Sequence, residues 1–135
     1  MKSLKTLLAV LLSSLCIPFT GCNDDYSHLS PEEAIIGKWK LIKSGIDEEH
    51  LKPVDLDSWH EYHPDKTMYD DINSLQFTYY MDQECLYRHL TRGDQLWVYE
   101  YKFTDKKNTL TLKYRSGVIP TIYGFPLVYI YRRIK

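Results

Sequence analysis

The sequence predicts an all-β fold, an antiparallel sandwich or barrel, and three observations carry that prediction. Short runs of alternating apolar and polar residues follow one another from Leu75 to the C-terminus, at spacings of about 8 to 12 residues. Polar turns of hairpin length, such as Arg92-Gly93-Asp94, separate the runs. The chain is also rich in β-forming aromatics, with twelve Tyr and three Trp among its 135 residues.

The alternation defines six or seven strands. A capping pattern precedes the first: Ser30 as N-cap, Pro31 at the first helical position and Glu33 reaching back predict a helix of one turn. Pro120 marks an edge or a bulge in the least regular run. The predicted strands cover residues 38–44, 75–80, 85–91, 96–104, 109–114, 118–123 and 127–135.

Residues 1–21 are predicted to be a signal peptide. Lys2 and Lys5 form a positive start, and the apolar stretch 4–17 that follows is shorter than the about 20 residues of a membrane-spanning helix. A cut after Gly21 would leave Cys22 at the N-terminus. The quartet 19–22, Phe-Thr-Gly-Cys, resembles the lipobox of bacterial lipoproteins, and the alternative is an ordinary secretory signal.

The lipobox resemblance implies that Cys22 carries acyl chains such as palmitate and holds the protein on a membrane. Residues 22–29 then form an acidic tether. Its Asn23-Asp24-Asp25 resembles an export tag toward the outer membrane or cell surface, or is simply a solvated linker. The expected location is the cell envelope, facing the periplasm or the exterior. Cys85 is the one cysteine left for the folded domain, so no disulfide within the chain is expected.

Charge and motifs exclude several classes of function. The formal net charge of -1 argues against a nucleic-acid binder. Phosphate loops, nucleophile elbows and dinucleotide fingerprints are missing from the sequence, so neither an enzyme nor a cofactor is expected. His60 and His63, with Asp57, Glu61 and Asp65 nearby, have ligand types for Zn²⁺, but exposed histidines in an acidic loop are the preferred interpretation and no metal is predicted.

Segment 46–73 differs from the rest of the chain. It carries nine acidic residues against two lysines, two prolines and no steady period. A long irregular connection predicts a lid or a binding loop. The alternative is a solvated insertion with one more strand near 59–62.

A family resemblance joins these elements. The helical turn leading into Ile36-Gly37-Lys38-Trp39, with the succession of strands behind it, resembles the lipocalin-like domain of small Gram-negative bacterial lipoproteins. Gly37-x-Trp39 matches the lipocalin signature at the start of the first strand. The resemblance spans 30–135 and implies one up-and-down barrel of about seven to eight strands.

The resemblance also implies that Trp39 packs at the closed end of the barrel, with an Arg of the last strand across its ring. Arg132 is the preferred partner, because it shares its parity with a β-branched face. Arg133, which shares its parity with Tyr129 and Tyr131, is the alternative.

The predicted function is binding of a small apolar ligand inside the barrel. The lining would come from one parity of the strand 96–104, with segment 46–73 at the mouth. The alternative for any one aromatic residue is a structural role, as a β-forming side chain that fills or covers the sheet. The competing class of function is a closed interaction module that docks a protein or glycan of the envelope. The predicted ligand-binding residues are Trp97, Tyr99, Tyr101 and Phe103.

Overall fold

The computed structural model describes residues 24–117 and 126–134. Within these ranges the chain forms one short helix and nine strands. None of their helical residues forms a segment long and apolar enough to cross a membrane. The elements are α1 Pro31–Ala34, β1 Gly37–Gly45, β2 Leu51–Pro53, β3 Trp59–Tyr62, β4 Thr67–Asp70, β5 Leu75–Met81, β6 Cys85–Leu90, β7 Leu96–Thr104, β8 Thr109–Ser116 and β9 Val128–Ile134.

The strands form a closed antiparallel barrel. Eight of them, β1 and β3 to β9, follow one another around it in chain order, and β9 returns to pair with β1 from Lys38↔Ile134 to Gly45↔Val128. The ninth, β2, pairs with the second half of β1 and lies outside the ring. The predicted all-β, up-and-down barrel is confirmed.

Segment 46–73 is more regular than the sequence predicts. It contains β2, β3 and β4, and β3 and β4 are two of the eight strands of the barrel. The expected strand near 59–62 is present as β3, but the interpretation of the segment as one long irregular loop is wrong. Only its short connections, such as 54–58 and 71–74, remain irregular.

Alternation decides which side chains enter the core, as in β5. Phe77, Tyr79 and Met81 are buried inside the barrel, whereas Thr78 and Tyr80 between them are exposed. Successive side chains of a strand point to opposite faces of the sheet, so one parity fills the barrel and the other meets solvent. The predicted strand at 118–123 lies outside the described residues.

Helix α1 closes one end of the barrel. The Ser30 hydroxyl accepts a hydrogen bond from the backbone N–H of Glu33 and donates one to its carboxylate at 2.8 Å, which confirms the capping pattern. Just past the helix, Ile35 is fully buried, and its carbonyl accepts a hydrogen bond from Trp39 Nε1 at 2.8 Å. The indole therefore fills the closed end with its one donor satisfied.

The cation across Trp39 is Arg133, and the preference for Arg132 is wrong. The Arg133 guanidinium carbon lies 4.4 Å from the centroid of the Trp39 ring, whereas Arg132 is exposed. The inward face of β9 is the aromatic one, with Tyr129 and Tyr131, because the register with β8 opposes these residues to the buried side chains of that strand. On the other parity, Arg132 is exposed and Ile130 and Ile134 are partly exposed, while Val128 is buried outside the core cluster.

The segment before the helix is bound to this closed end. The Tyr26 N–H donates to the Lys106 carbonyl at 3.0 Å, and the side-chain amide of Asn108 donates to the Asp24 carbonyl at 2.7 Å. Arg133 also lies 4.0 Å from the centroid of the Tyr26 ring, so its guanidinium is held between two aromatic rings. Residues 24–30 are thus attached to the β7–β8 turn.

Candidate functional site

The end of the barrel opposite α1 contains an open cavity of about 520 Å³. Its walls come from seven barrel strands and from three connections. Most lining side chains are aromatic or aliphatic, as is typical of sites for small ligands. They are Leu41, Leu56, Ser58, His60, Asp70, Ile72, Asn73, Leu75, Phe77, Arg88, Trp97, Tyr99, Pro126, Tyr129 and Tyr131.

Large aliphatic side chains form the rim of the cavity. Leu56 is 63% exposed, Ile72 is 54% exposed and Leu75 is 38% exposed. All three line the cavity as well as facing solvent. Clustered exposed apolar residues mark interaction sites more often than they mark ordinary surface. The entrance is therefore suited to an apolar molecule.

Arg88 of β6 provides the positive charge of the cavity. Its side chain points inward, and the residue is only 6% exposed. Nη2 donates to the Tyr62 hydroxyl and lies 3.4 Å from His60 Nδ1, while Nε is buried without an acceptor in the described part of the chain. The guanidinium carbon lies 4.9 Å from the Tyr99 ring centroid. All of these partners are neutral.

His60 of β3 lies between Arg88 and the one acid of the cavity. Its Nδ1 faces the Arg88 donor, so Nε2 carries the proton and points toward Asp70 Oδ1 at 3.7 Å. Burial, followed by the positive charge of Arg88, holds the pKa of His60 well below its usual range. His60 is therefore a neutral imidazole at pH 7.

Asp70 of β4 is engaged by its own turn. Its Oδ1 accepts the backbone N–H of Ile72 at 3.1 Å, and its Oδ2 accepts the side-chain amide of Asn73 at 3.0 Å. Among the described residues, no carboxylate oxygen lies within 4.0 Å of the Arg88 guanidinium. Asp70 and Arg88 face the same cavity without forming an ion pair.

Three tyrosines complete the wall beside Arg88. Burial raises the pKa of Tyr99, Tyr129 and Tyr131 above the ordinary value of a phenol. Each phenol therefore stays protonated across the physiological range and keeps a hydrogen to donate. The Tyr129 hydroxyl donates to the Pro126 carbonyl at 2.8 Å.

The predicted ligand-binding residues divide into two pairs. Trp97 and Tyr99 line the cavity, and the Trp97 ring packs edge-on against Phe77 with centroids 5.6 Å apart. Tyr101 and Phe103 do not line it, although they share the same inward parity. Strand β7 runs from the mouth to the closed end, so these later residues are partly buried and pack against the core farther along the barrel, where Phe103 contacts Trp39.

The histidines do not form a metal site with their neighbours. The prediction of solvent exposure is wrong for His60, which is 8% exposed inside the barrel. His63 lies beyond the end of β3, at the opposite parity, so the two rings do not converge. No group of three or more His, Cys, Asp or Glu close enough to hold a metal ion occurs among residues 24–117 and 126–134.

Sequence analysis does not single out Arg88 or Asp70, and it misplaces His60. A signal for Arg88 is present: it occupies the same parity of β6 as Leu86 and Leu90, which both contact the core. A charged residue on the apolar parity of a strand is an exception to the alternation and marks a candidate site. His60 likewise shares its parity with Tyr62.

Comparisons with known proteins add no assignment. No protein-family model matches the chain, and no curated protein matches it significantly. The site is therefore interpreted from its own geometry. Cys22 and its predicted lipid lie outside the described residues, as does the signal peptide 1–21.

Proposed function

We propose that this protein binds a small, predominantly apolar molecule in the open end of its barrel. The observation that supports the proposal best is the cavity of about 520 Å³, which opens to solvent through an aliphatic rim. Clefts of roughly 300 to 1,000 Å³ hold small ligands in proteins. The proposal includes no chemical step, and it assigns no enzymatic activity and no cofactor.

The wall of the cavity supports an aromatic or aliphatic ligand. Phe77, Trp97 and Tyr99 present ring faces and edges, which offer contact area without the entropy cost of long flexible side chains. The opposite end is closed by α1 and Trp39, so a ligand has a floor. In the part of the chain that the structure describes, the barrel is thus closed at the α1 end and open at the other.

We further propose that the protein is a lipocalin-like lipoprotein of the cell envelope. Gly37 has a φ of +133°, and a Cβ at this position would lie 3.4 Å from Arg133 Nη1. Gly37, Trp39 and Arg133 therefore act together at the closed end, which supports the resemblance. The anchor on Cys22 and the outer-membrane location depend on the N-terminal sequence. Replacing Cys22 by Ser should abolish the added acyl mass and release the protein from the membrane fraction.

Titration with Nile red, a neutral dye that fluoresces in apolar surroundings, tests ligand binding. We expect one saturable site. Native mass spectrometry of protein purified from its own cell should in addition show a co-purified small molecule. Leu41→Trp, which adds bulk to the cavity wall, should weaken dye binding about tenfold or more.

Thr78→Trp is the matched control, because Thr78 is exposed on the outer face of β5. It should leave dye binding unchanged. Absence of a saturable site, or equal loss in both variants, would contradict the proposal and favour the interaction module that docks an envelope protein or glycan.

A further inference from the structure

We infer that Arg88 binds a carboxylate group of the ligand. The ligand is then an amphiphile, with its anionic head buried beside Arg88 and its apolar tail directed toward the mouth. The inference rests on the proposed function and adds the chemical class of the ligand. It starts from a buried cation that the described chain leaves without an anion.

The surroundings of Arg88 do not compensate its charge. An ionised group in a protein interior is costly unless a counter-charge or a full set of hydrogen bonds accompanies it. Arg88 has two aromatic faces, from Tyr62 and Tyr99, and neutral acceptors on Tyr62 and His60. A guanidinium has five N–H donors, and its Nε finds no acceptor among the described residues.

The position of Arg88 makes it accessible from the mouth. It lines the same cavity as the exposed rim residues Leu56 and Ile72, so an apolar chain that enters past the rim brings its end group to the guanidinium. The protonated phenols of Tyr99 and Tyr131 line that wall too. A carboxylate accepts hydrogen bonds from a guanidinium fork in a bidentate manner, and phenols supply further donors.

The charge balance favours a monoanion over a dianionic phosphate. Asp70 faces the cavity, and burial of its neighbour His60 keeps that imidazole uncharged. Among the described residues, one guanidinium is thus the whole positive charge of the lining, and Asp70 faces the same cavity at longer range. A single negative charge neutralises Arg88, whereas a second one would have no partner.

Competition against bound Nile red with four probes of equal chain length tests the inference: decanoate, decanol, decyl phosphate and decyltrimethylammonium. The wild type should bind decanoate at least about tenfold more tightly than decanol, because a hydrogen bond between charged groups raises affinity by about that factor. Decyl phosphate should follow decanoate, and decyltrimethylammonium should bind most weakly. In Arg88→Gln, decanoate should fall to the affinity of decanol, while decanol itself changes less than about threefold.

Arg132→Gln is the matched control, since it removes the same charge from the exposed face of β9. It should leave the preference for decanoate intact. If Arg88→Gln does not fold, the order of the four probes on the wild type decides. Equal affinities of decanoate and decanol, or a preference that survives Arg88→Gln, would overturn the inference while leaving ligand binding in place. Absence of binding by Nile red and by all four probes would instead overturn the proposed function itself.

Discussion

The Arg133 guanidinium lies over Trp39, with its central carbon 4.4 Å from the ring centroid, and it donates hydrogen bonds to three backbone carbonyls. Nη2 donates to the carbonyls of Ala34 at 2.7 Å and Lys107 at 2.9 Å, and Nη1 donates to that of Ile36 at 3.2 Å. One side chain of β9 thereby joins α1, β1 and the β7–β8 turn.

Replacing Arg133 by Ala should destabilise the barrel by about 2 to 4 kcal/mol, because the cation–π contact and several charge-assisted hydrogen bonds are lost together. Arg132→Ala, on the exposed face of the same strand, should cost less than about 0.5 kcal/mol. Urea unfolding followed by fluorescence measures both. Equal losses in the two variants would contradict the role given to Arg133.

Gly37→Ala should cost about 1 to 3 kcal/mol, because φ of +133° strains a residue that has a Cβ. The new methyl would also contact Arg133 Nη1 at 3.4 Å, and the hydrogen bonds from this guanidinium to Ile36 and Ala34 leave it little room to move. Gly93 offers a matched control: its φ is +136°, and a Cβ there meets nothing within 4 Å. Gly93→Ala therefore reports backbone strain alone. We expect Gly37→Ala to be more destabilising than Gly93→Ala. The opposite order would show that the contact with Arg133 does not contribute to the loss of stability.

Acidification should weaken the fold through His60. In the folded protein the pKa of His60 is lowered, first by burial and then by the charge of Arg88. Below about pH 6.5, His60 therefore becomes protonated in the unfolded chain but stays neutral in the folded one. The free energy of unfolding should fall by about 1.4 kcal/mol per pH unit in that window. The groups that face the ring are Arg88 of β6, Asp70 of β4 and Tyr131 of β9, whose ring centroid is 5.1 Å away.

Urea titrations at pH 7.5 and 5.5 measure this effect. His60→Gln should lose most of the difference between the two pH values, whereas replacement of the exposed His89 should leave it in place. An unchanged pH dependence in His60→Gln would show that other groups carry it.

Cys85 should resist thiol reagents in the folded protein. It is buried, with Sγ accepting a hydrogen bond from Arg115 Nη1 at 3.1 Å. Labelling by a maleimide, read at the Cys85 peptide by mass spectrometry, should be about a hundredfold slower than in urea, because it requires local opening. Thr78→Cys, on an exposed position, supplies the fast reference within the same protein. Similar rates at the two sites would contradict the burial of Cys85.

Much of the barrel follows from alternation alone. Strands β5, β7 and β8 keep a strict period of two, with large side chains on the inward parity, so their limits agree closely with the prediction. Strands β2 and β4 are harder to predict, because they have only three and four residues and contain Lys, Pro or Asp. Pairing with longer neighbours, rather than local propensity, holds them in place.

The candidate site is less accessible to sequence reasoning than the fold. Trp97 and Tyr99 follow from parity and size, but parity gives no depth along the barrel, so Tyr101 and Phe103 are placed in the cavity wrongly. Choosing between Arg132 and Arg133 requires the register of β9 against its neighbours, which arises only when the barrel closes. Long-range register is a property of the whole sheet and not of one strand.

The attachment of residues 24–30 to the β7–β8 turn fixes more than the start of the domain. Asn108 holds the Asp24 carbonyl, and Cys22 precedes Asp24 by two chain steps, a reach of about 7 Å at most. If Cys22 carries the lipid, this short link keeps the closed end of the barrel next to the bilayer. The mouth of the barrel then faces away from the bilayer, and under the proposed function a ligand would enter from the aqueous side.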